Sequence, residues 1–150
     1  MTMKKLNVYL IVILFCLSIF SCKKDKTTAK ENLIGKWMET AMTVSPAMNG
    51  ITDMFSTEAA CDKDDIIIFN ADGTNQSDAG LIKCNASDPQ IENEGTWALS
   101  ADGKTLTLTS TNNEIQVLTV VTLSSTSFVG TMTMVFNGVT YTYTVTLVKK

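Results

Sequence analysis

Four cysteines and a scatter of carboxylates are the residues of this 150-residue chain with the most obvious chemistry. The chain contains no histidine, which removes Ser-His and Cys-His nucleophile pairs, histidine metal sites and the commonest general base. Glu39 and Glu94 are two carboxylates that could form a glycosidase-type acid/base pair, but no other feature of the sequence favours such a pair. We therefore predict that the protein is not an enzyme and uses no cofactor.

Cys22 stands at an abrupt boundary between an apolar segment and a charged one. Two lysines precede the almost continuously apolar residues 6–20, and residues 23–26 read Lys-Lys-Asp-Lys. The apolar segment is too short to span a bilayer comfortably, because a span needs about 20 apolar residues. Its length suits the hydrophobic region of a secretory signal peptide.

The residues at this boundary, Ile19-Phe20-Ser21-Cys22, resemble the lipobox of bacterial lipoproteins. The resemblance implies that residues 1–21 are a signal peptide, that the Cys22 thiol receives a diacylglycerol, and that the new amine takes a fatty acid such as palmitate. Two or more acyl chains hold a protein durably on a membrane. The alternatives are an ordinary signal peptide that ends in cysteine and an uncleaved anchor helix.

The remaining chain suits one domain. We interpret residues 22–32 as the lipidated cysteine and a polar tether, and residues 33–150 as a single domain with one core. The net charge of the chain is −3, and loss of the two lysines of the signal makes it more negative. Because the chain also lacks arginine, we predict no nucleic-acid partner.

Cys61 and Cys84 are the two cysteines left after Cys16 departs with the signal and Cys22 is lipidated. In an oxidising compartment we expect them to form a disulfide. A two-residue hairpin loop at Asp72-Gly73 would place them opposite each other at the open end of one hairpin, and a longer turn would shift this by one residue. A redox or metal-binding role is disfavoured because the chain has no Cys-x-x-Cys motif and no third soft ligand.

Four aspartates near this hairpin form the remaining candidate for metal binding. The segment from Ile68 to Gly73 resembles part of an EF-hand loop. Its first ligand position is Ile68 and its twelfth is Ala79, so the set of oxygen ligands is incomplete. We therefore expect solvated turn carboxylates and no metal site. The aspartates are Asp62, Asp64, Asp65 and Asp72.

From residue 94 onward the chain reads as a meander of antiparallel strands. Turn signals stand at Asp102-Gly103, Thr111-Asn112, Ser125-Thr126 and Asn137-Gly138, and Asx-Gly is the strongest of these signals. Two-residue loops at all four turns keep the apolar residues of five strands on one face, and the opposite face of the last hairpin is rich in threonine. The predicted pairs are Trp97–Leu108, Leu99–Leu106, Leu108–Ile115, Leu123–Phe128, Val117–Met134, Phe136–Val139, Met134–Tyr141, Met132–Tyr143, Thr131–Thr144 and Thr133–Thr142.

Three earlier segments complete the predicted sheet. Residues 33–44, 65–70 and 73–83 read as strands, and residues 47–60 carry apolar side chains at roughly helical spacing. We therefore predict an all-β, eight-stranded antiparallel up-and-down barrel with one short helix between the first two strands. Closure into a barrel removes both edges of the sheet.

Short motifs along this predicted barrel resemble lipocalin-like lipoproteins of Gram-negative bacteria. They are Gly35-x-Trp37, the run from Phe69 to Thr74, Gly95-Thr96-Trp97 and Ala101-Asp102-Gly103. The resemblance implies a Gram-negative envelope and the outer membrane, with the domain facing the periplasm or the outside. Lipocalins often stack an arginine on the first-strand tryptophan, and this chain has none.

The barrel suggests two functions. An eight-stranded barrel either fills with side chains or holds one small ligand, so we predict a membrane-anchored protein that binds a small apolar ligand. The alternative is a protein-interaction or inhibitor module with a fully packed barrel. The sequence does not identify a protein partner for such a module. The residues predicted to line the pocket, or else to form the core, are Trp37, Trp97, Met132, Met134, Phe136, Tyr141 and Tyr143.

Overall fold

The computed structural model describes residues 28–150, so the predicted signal peptide, Cys16 and Cys22 lie outside the described residues. No helix in this part of the chain is long and apolar enough to cross a membrane. The elements are α1 (Ala29–Leu33), β1 (Gly35–Met48), β2 (Ile51–Asp53), a 3₁₀ turn (Phe55–Thr57), α2 (Ala60–Lys63), β3 (Ile66–Phe69), β4 (Thr74–Asp78), β5 (Ile91–Leu99), β6 (Thr105–Ser110), β7 (Ile115–Leu123), β8 (Ser127–Phe136) and β9 (Val139–Lys149).

Eight of these strands close into an antiparallel barrel. From β3 to β9 each strand pairs with the next along the chain, and β1 pairs with both β3 and β9 to complete the circle. The short β2 pairs only with β1. The predicted all-β, eight-stranded up-and-down barrel is therefore confirmed.

The chain enters the barrel through a short helix that the sequence did not indicate. Thr28 caps α1, since its hydroxyl accepts from the Glu31 amide while the Glu31 carboxylate accepts from the Thr28 amide. Residues 29–32, predicted as tether, are thus helical, and Leu33 is fully buried rather than the start of a strand. The first strand begins two residues later, at Gly35.

The connection between β1 and β3 also differs in detail from the prediction. Asn49 and Gly50 both have positive φ, so they form a tight turn that pairs Met48 with Ile51. Strand therefore continues where helix was expected to begin. The helical part of the connection consists of the 3₁₀ turn and α2.

The two Asx-Gly turns set the predicted registers. Trp97 pairs with Leu108 and Leu99 with Leu106, and all five predicted pairs of the last hairpin are present. Asn137 and Gly138 both have positive φ, as a two-residue hairpin loop requires. At Asp102-Gly103 only Gly103 has positive φ, and the Ser100 amide donates to the Thr105 carbonyl across a four-residue loop. Because that longer loop is centred on the same dipeptide, the predicted register is kept.

The prediction that Leu108 pairs with Ile115 is wrong by one residue. Asn113 takes a positive φ of 67°, which lengthens the loop to three residues, and the Ser110 amide donates to the Glu114 carbonyl. Leu108 therefore faces Gln116. Because a one-residue slip exchanges the faces of a strand, Ile115 lies on the outside and is 66% exposed.

The β7–β8 hairpin is partly as predicted. Leu123 pairs with Phe128, but the register shifts between Val120 and Thr122, so that Thr119 pairs with Thr131. The predicted Val117–Met134 pair is therefore wrong. A bulge adds one residue to one strand and changes which side chains face inward beyond it.

One end of the barrel is packed solid, and we call it the closed end. Its side chains come from α1 and from every strand of the barrel circle except β4. Trp37, Phe128 and Leu106 are at most 1% exposed. The buried cluster comprises Leu33, Trp37, Phe69, Trp97, Leu106, Leu118, Phe128 and Leu147.

The predicted disulfide between Cys61 and Cys84 is present, with Cα atoms 5.2 Å apart. The β3–β4 loop has three residues rather than two, because the Asn70 amide donates to the Thr74 carbonyl. Both strands end before the cysteines, so the bond joins α2 to the loop after β4. The pairing was predicted correctly, but the hairpin does not extend far enough to impose it.

Replacing Cys61 and Cys84 together with serine should lower the free energy of unfolding by about 3 kcal/mol. The bond joins residues with a sequence separation of 23. Closing a loop of this size lowers the conformational entropy of the unfolded chain, which stabilises the folded state by about 3 kcal/mol. Guanidinium denaturation of the wild type and the double variant measures the difference. Reduced wild type should match the double variant, and equal stabilities of oxidised and reduced wild type would contradict the prediction.

Candidate functional site in the open half of the barrel

The seven residues predicted to line a pocket separate into two groups. Trp37 and Trp97 belong to the closed end, and Met132 packs against it. Met134 and Phe136 lie near the far end of the β8–β9 hairpin, 54% and 60% exposed. Tyr141 and Tyr143 are partly buried on β9. The role of these seven residues in ligand binding stays a prediction, because the two cavities in the open half of the barrel are lined by other residues.

A cavity of about 290 Å³ lies beyond the closed end. Five consecutive strands or their ends contribute to its wall, from β3 to β7. Ile67 and Leu108 supply an apolar floor, and the other residues are polar. The lining residues are Ile67, Asn75, Gln76, Ser77, Glu94, Leu108, Thr109, Ser110, Glu114 and Gln116.

The position of Glu94 in this cavity depends on an irregularity in β5. The pairing of β4 with β5 shifts between Asn75 and Gln76, so one residue of β5 is extra. Such a bulge redirects a side chain, and the Ser77 hydroxyl donates to Glu94 Oε1 at 2.7 Å. Gly95 follows with φ of 125°, and a Cβ there would clash with the Thr109 carbonyl oxygen. Only glycine fits this close approach.

Asn75 is a buried polar residue in the wall of the cavity. It lies on the inward row of β4, paired with Phe69 on one side and Gly95 on the other. Its side chain is 8% exposed. Within residues 28–150 its Oδ1 atom has no hydrogen-bond partner. Leaving a buried acceptor unpaired costs about 1–3 kcal/mol.

A second cavity, of about 230 Å³, adjoins the first one. The two share Ile67 and Ser77 as lining residues. Glu39 enters the second cavity from β1, where it pairs with the buried Leu147. The remaining lining residues come from the connection before β3 and from β3 itself. They are Glu58, Asp62, Asp65 and Ile66.

The pKa values of three carboxylates that line the second cavity, Glu39, Glu58 and Asp65, are raised. Burial, and then repulsion from Glu58, raises the pKa of Glu39 to about 7. Its Oε1 atom is buried without a hydrogen-bond partner among the described residues. Burial is also the main cause that raises the pKa of Asp65, with Glu94 among the carboxylates that add to the effect. Negative charge is therefore poorly compensated in this half of the barrel.

The predicted metal candidates have different surroundings. Asp72 is a turn carboxylate, as predicted, and accepts from the amide and hydroxyl of Thr74. Cys61, Asp62 and Cys84 bring ligand-type atoms within 4.8 Å of one another, but the two sulfurs are bonded to each other. A disulfide does not supply the thiolates that bind metals.

A closed eight-stranded barrel that is packed at one end and hollow at the other has an interior that can hold one small ligand. Residues 33–130 match the family of lipocalin-like domains. The match spans more than half of the chain, and the chain belongs to this family. Lipocalin-like domains are typically non-enzymatic binding proteins.

Among solved structures, the chain is similar to bovine odorant-binding protein in complex with a selenium-containing odorant. The sequences are 16% identical, the similarity covers 85% of this chain and 76% of that chain, and the TM-score is 0.44. No curated protein matches the chain.

Several cavity residues were missed at the level of sequence. The predicted two-residue loop at Thr111-Asn112 places Ile115 on the inner face, whereas Gln116 occupies that position in the structure. The tandem Asn112-Asn113 is the sequence signal that could have indicated a longer loop. Asn75 and Ser77 lie in a segment that reads as polar throughout. An inward row of polar residues has no hydrophobic alternation to reveal it.

Replacing Glu39 with glutamine should raise the free energy of unfolding at about pH 8 by roughly 1 kcal/mol. The pKa of Glu39 in the folded state, about 7, lies above its ordinary value of 4.5, so the folded protein binds this proton more tightly than the unfolded chain. Stability contributed by Glu39 is thus lost as the pH rises from about 4.5 to about 7, and glutamine avoids the loss.

Chemical denaturation of wild type and Glu39→Gln at about pH 4 and about pH 8 measures this effect. We expect the advantage of the variant to appear only at the higher pH. An equal difference at the two pH values would contradict the prediction, since it would show that charge on Glu39 is not the cause.

Proposed function

We propose that this protein is a lipid-anchored cell-envelope carrier that binds a small, largely apolar ligand inside the open half of its barrel. The observation that supports the proposal most directly is the cavity of about 290 Å³ walled by five strands. Ligand pockets generally range from about 300 to about 1,000 Å³, so this cavity suits a ligand at the small end of that range.

The division of the barrel supports entry from the open end. Large side chains fill the closed end, with Trp37 at 0% and Phe128 at 1% exposure. A ligand therefore has room only beyond that cluster. There the apolar floor of Ile67 and Leu108 would take its body, and the polar wall would orient it.

The position of α1 in the fold supports a carrier that is tethered at its closed end. The described domain begins at Thr28 with α1, and α1 packs Leu33 into the closed end. A lipid on Cys22 would thus hold the protein by its closed end and leave the open end accessible. We propose the outer membrane as the site of attachment, from the lipobox-like segment and from Lys23 in the position after the cysteine.

Native mass spectrometry of protein purified from its own host tests the carrier function. We expect an adduct of small-molecule mass that is released on denaturation. Chemical crosslinking on intact cells should be done in parallel. A specific crosslinked protein together with an adduct-free barrel would contradict the proposal and favour an interaction or inhibitor module.

Replacing Cys22 with serine tests the anchor. The variant should lose metabolic labelling by an alkyne analogue of palmitate and should leave the membrane fraction, because serine offers no thiol to the diacylglycerol. Cys16→Ser is the matched control and should keep both properties. Persistence of labelling and membrane association in Cys22→Ser would rule out this anchor.

A further inference from the structure

The charges around the two cavities are of one sign. Six of the lining residues are acidic, and none is a lysine. Two of the lysines lie instead at the closed end, where Lys149 and Lys30 stand over the rings of Trp37 and Trp97. Lys36 forms an ion pair with Asp78. The acidic lining residues are Glu39, Glu58, Asp62, Asp65, Glu94 and Glu114.

Internal contacts compensate this charge only in part. Glu94 accepts one hydrogen bond from the Ser77 hydroxyl, which leaves acceptor capacity on its carboxylate. Lys63 acts on Glu58 and opposes the effect of burial on its pKa. Burial still raises the pKa of Glu58, of Asp65 and most of all of Glu39. A cation in this space would lower these pKa values, whereas an anion would raise them further.

Asn75 provides independent evidence, because it is uncharged and nine-tenths buried. Its unpaired Oδ1 accepts hydrogen bonds and cannot donate them. It stands in the same wall as Glu94 and Glu114. A ligand that satisfies these side chains must donate several hydrogen bonds into this wall of the cavity. A protonated amine has three such donors and a positive charge.

The size and floor of the cavity favour an organic cation over a metal ion. A calcium ion needs six to eight oxygen ligands at about 2.3–2.6 Å, which calls for a compact cage. The cavity instead has a volume of about 290 Å³ and includes the apolar side chains of Ile67 and Leu108. This space suits an apolar body joined to the charged group.

We infer that the ligand of the barrel is a small primary amine with an apolar body, whose ammonium group binds Glu94, Glu114 and the Oδ1 atom of Asn75. The apolar body packs on Ile67 and Leu108. The inference rests on the proposed carrier function and narrows it to cationic ligands. It also implies that neutral or anionic molecules of the same shape bind more weakly.

Matched probes test this inference in the full-length lipidated protein in detergent. Phenethylamine, phenethyl alcohol and phenylacetate share an aromatic body and differ in charge, and calcium chloride serves as a fourth probe. Titration calorimetry, with saturation-transfer NMR for weak binding, gives the affinities. We expect the amine to bind at least about tenfold more tightly than the alcohol, and the acid more weakly still.

Two conservative variants test which carboxylates bind the ammonium group. Glu94→Gln and Glu114→Gln should each reduce the affinity for phenethylamine by about tenfold, because glutamine keeps the shape of the side chain and removes its charge. The affinity of each variant for phenethyl alcohol should stay within about twofold of the wild-type value. Glu31→Gln is the matched control at the closed end. Its capping box tolerates glutamine, so amine binding should not change.

The outcomes separate the inference from the carrier function. Binding of the alcohol or the acid as tight as that of the amine would overturn the cationic ligand and leave the carrier function standing. Calcium binding without amine binding would overturn it as well. If none of the organic probes binds and protein from the host carries no adduct, the carrier function itself falls.

Discussion

The burial of Trp37 is the interaction on which the rest of the barrel depends. Its Nε1 donates to the Leu33 carbonyl at 2.7 Å, which joins β1 to α1. The Lys149 ammonium lies 5.1 Å from the centre of the Trp37 ring and donates to the Asn32 carbonyl. A Cβ on Gly35 would lie 2.8 Å from Lys149 Cε, so Gly-x-Trp makes room for this contact. The first and last strands are thereby closed around one side chain, and lysine occupies the position over the tryptophan ring where the lipocalin resemblance leads one to expect arginine.

The second Gly-x-Trp motif links this packed end to the cavity. Trp97 Nε1 donates to the Asn70 carbonyl at 3.0 Å, and its ring meets Phe69 edge to face at 5.8 Å. Two residues earlier, Gly95 allows β5 to approach β6 closely at the bulge. One strand therefore places a tryptophan in the core and the Glu94 carboxylate in the wall of the cavity. The change from apolar to polar lining occurs within four residues.

The barrel could be predicted because hairpin signals centred on Asx-Gly dipeptides fix register locally. The disulfide could be predicted because the expected loss of Cys16 and lipidation of Cys22 leave one pair of cysteines. The errors of prediction arose where one extra residue changes the face of a strand. The αL conformation of Asn113 moved Ile115 outward and Gln116 inward. Bulges in β5 and β7 had similar effects. Such irregularities depend on neighbouring strands, so propensity and alternation alone do not reveal them.

The two halves of the barrel divide stability from binding. The closed end buries large apolar side chains with their polar atoms paired, and it supplies most of the hydrophobic stabilisation. The open half contains acceptors that nothing in the described chain satisfies, Asn75 Oδ1 and Glu39 Oε1. Each such group costs about 1–3 kcal/mol, which a well-packed closed end can offset. A donor-rich cation in the first cavity would satisfy Asn75 Oδ1 and remove that part of the cost. The carboxylates of Glu94 and Glu114 in the same wall would discriminate against neutral and anionic ligands.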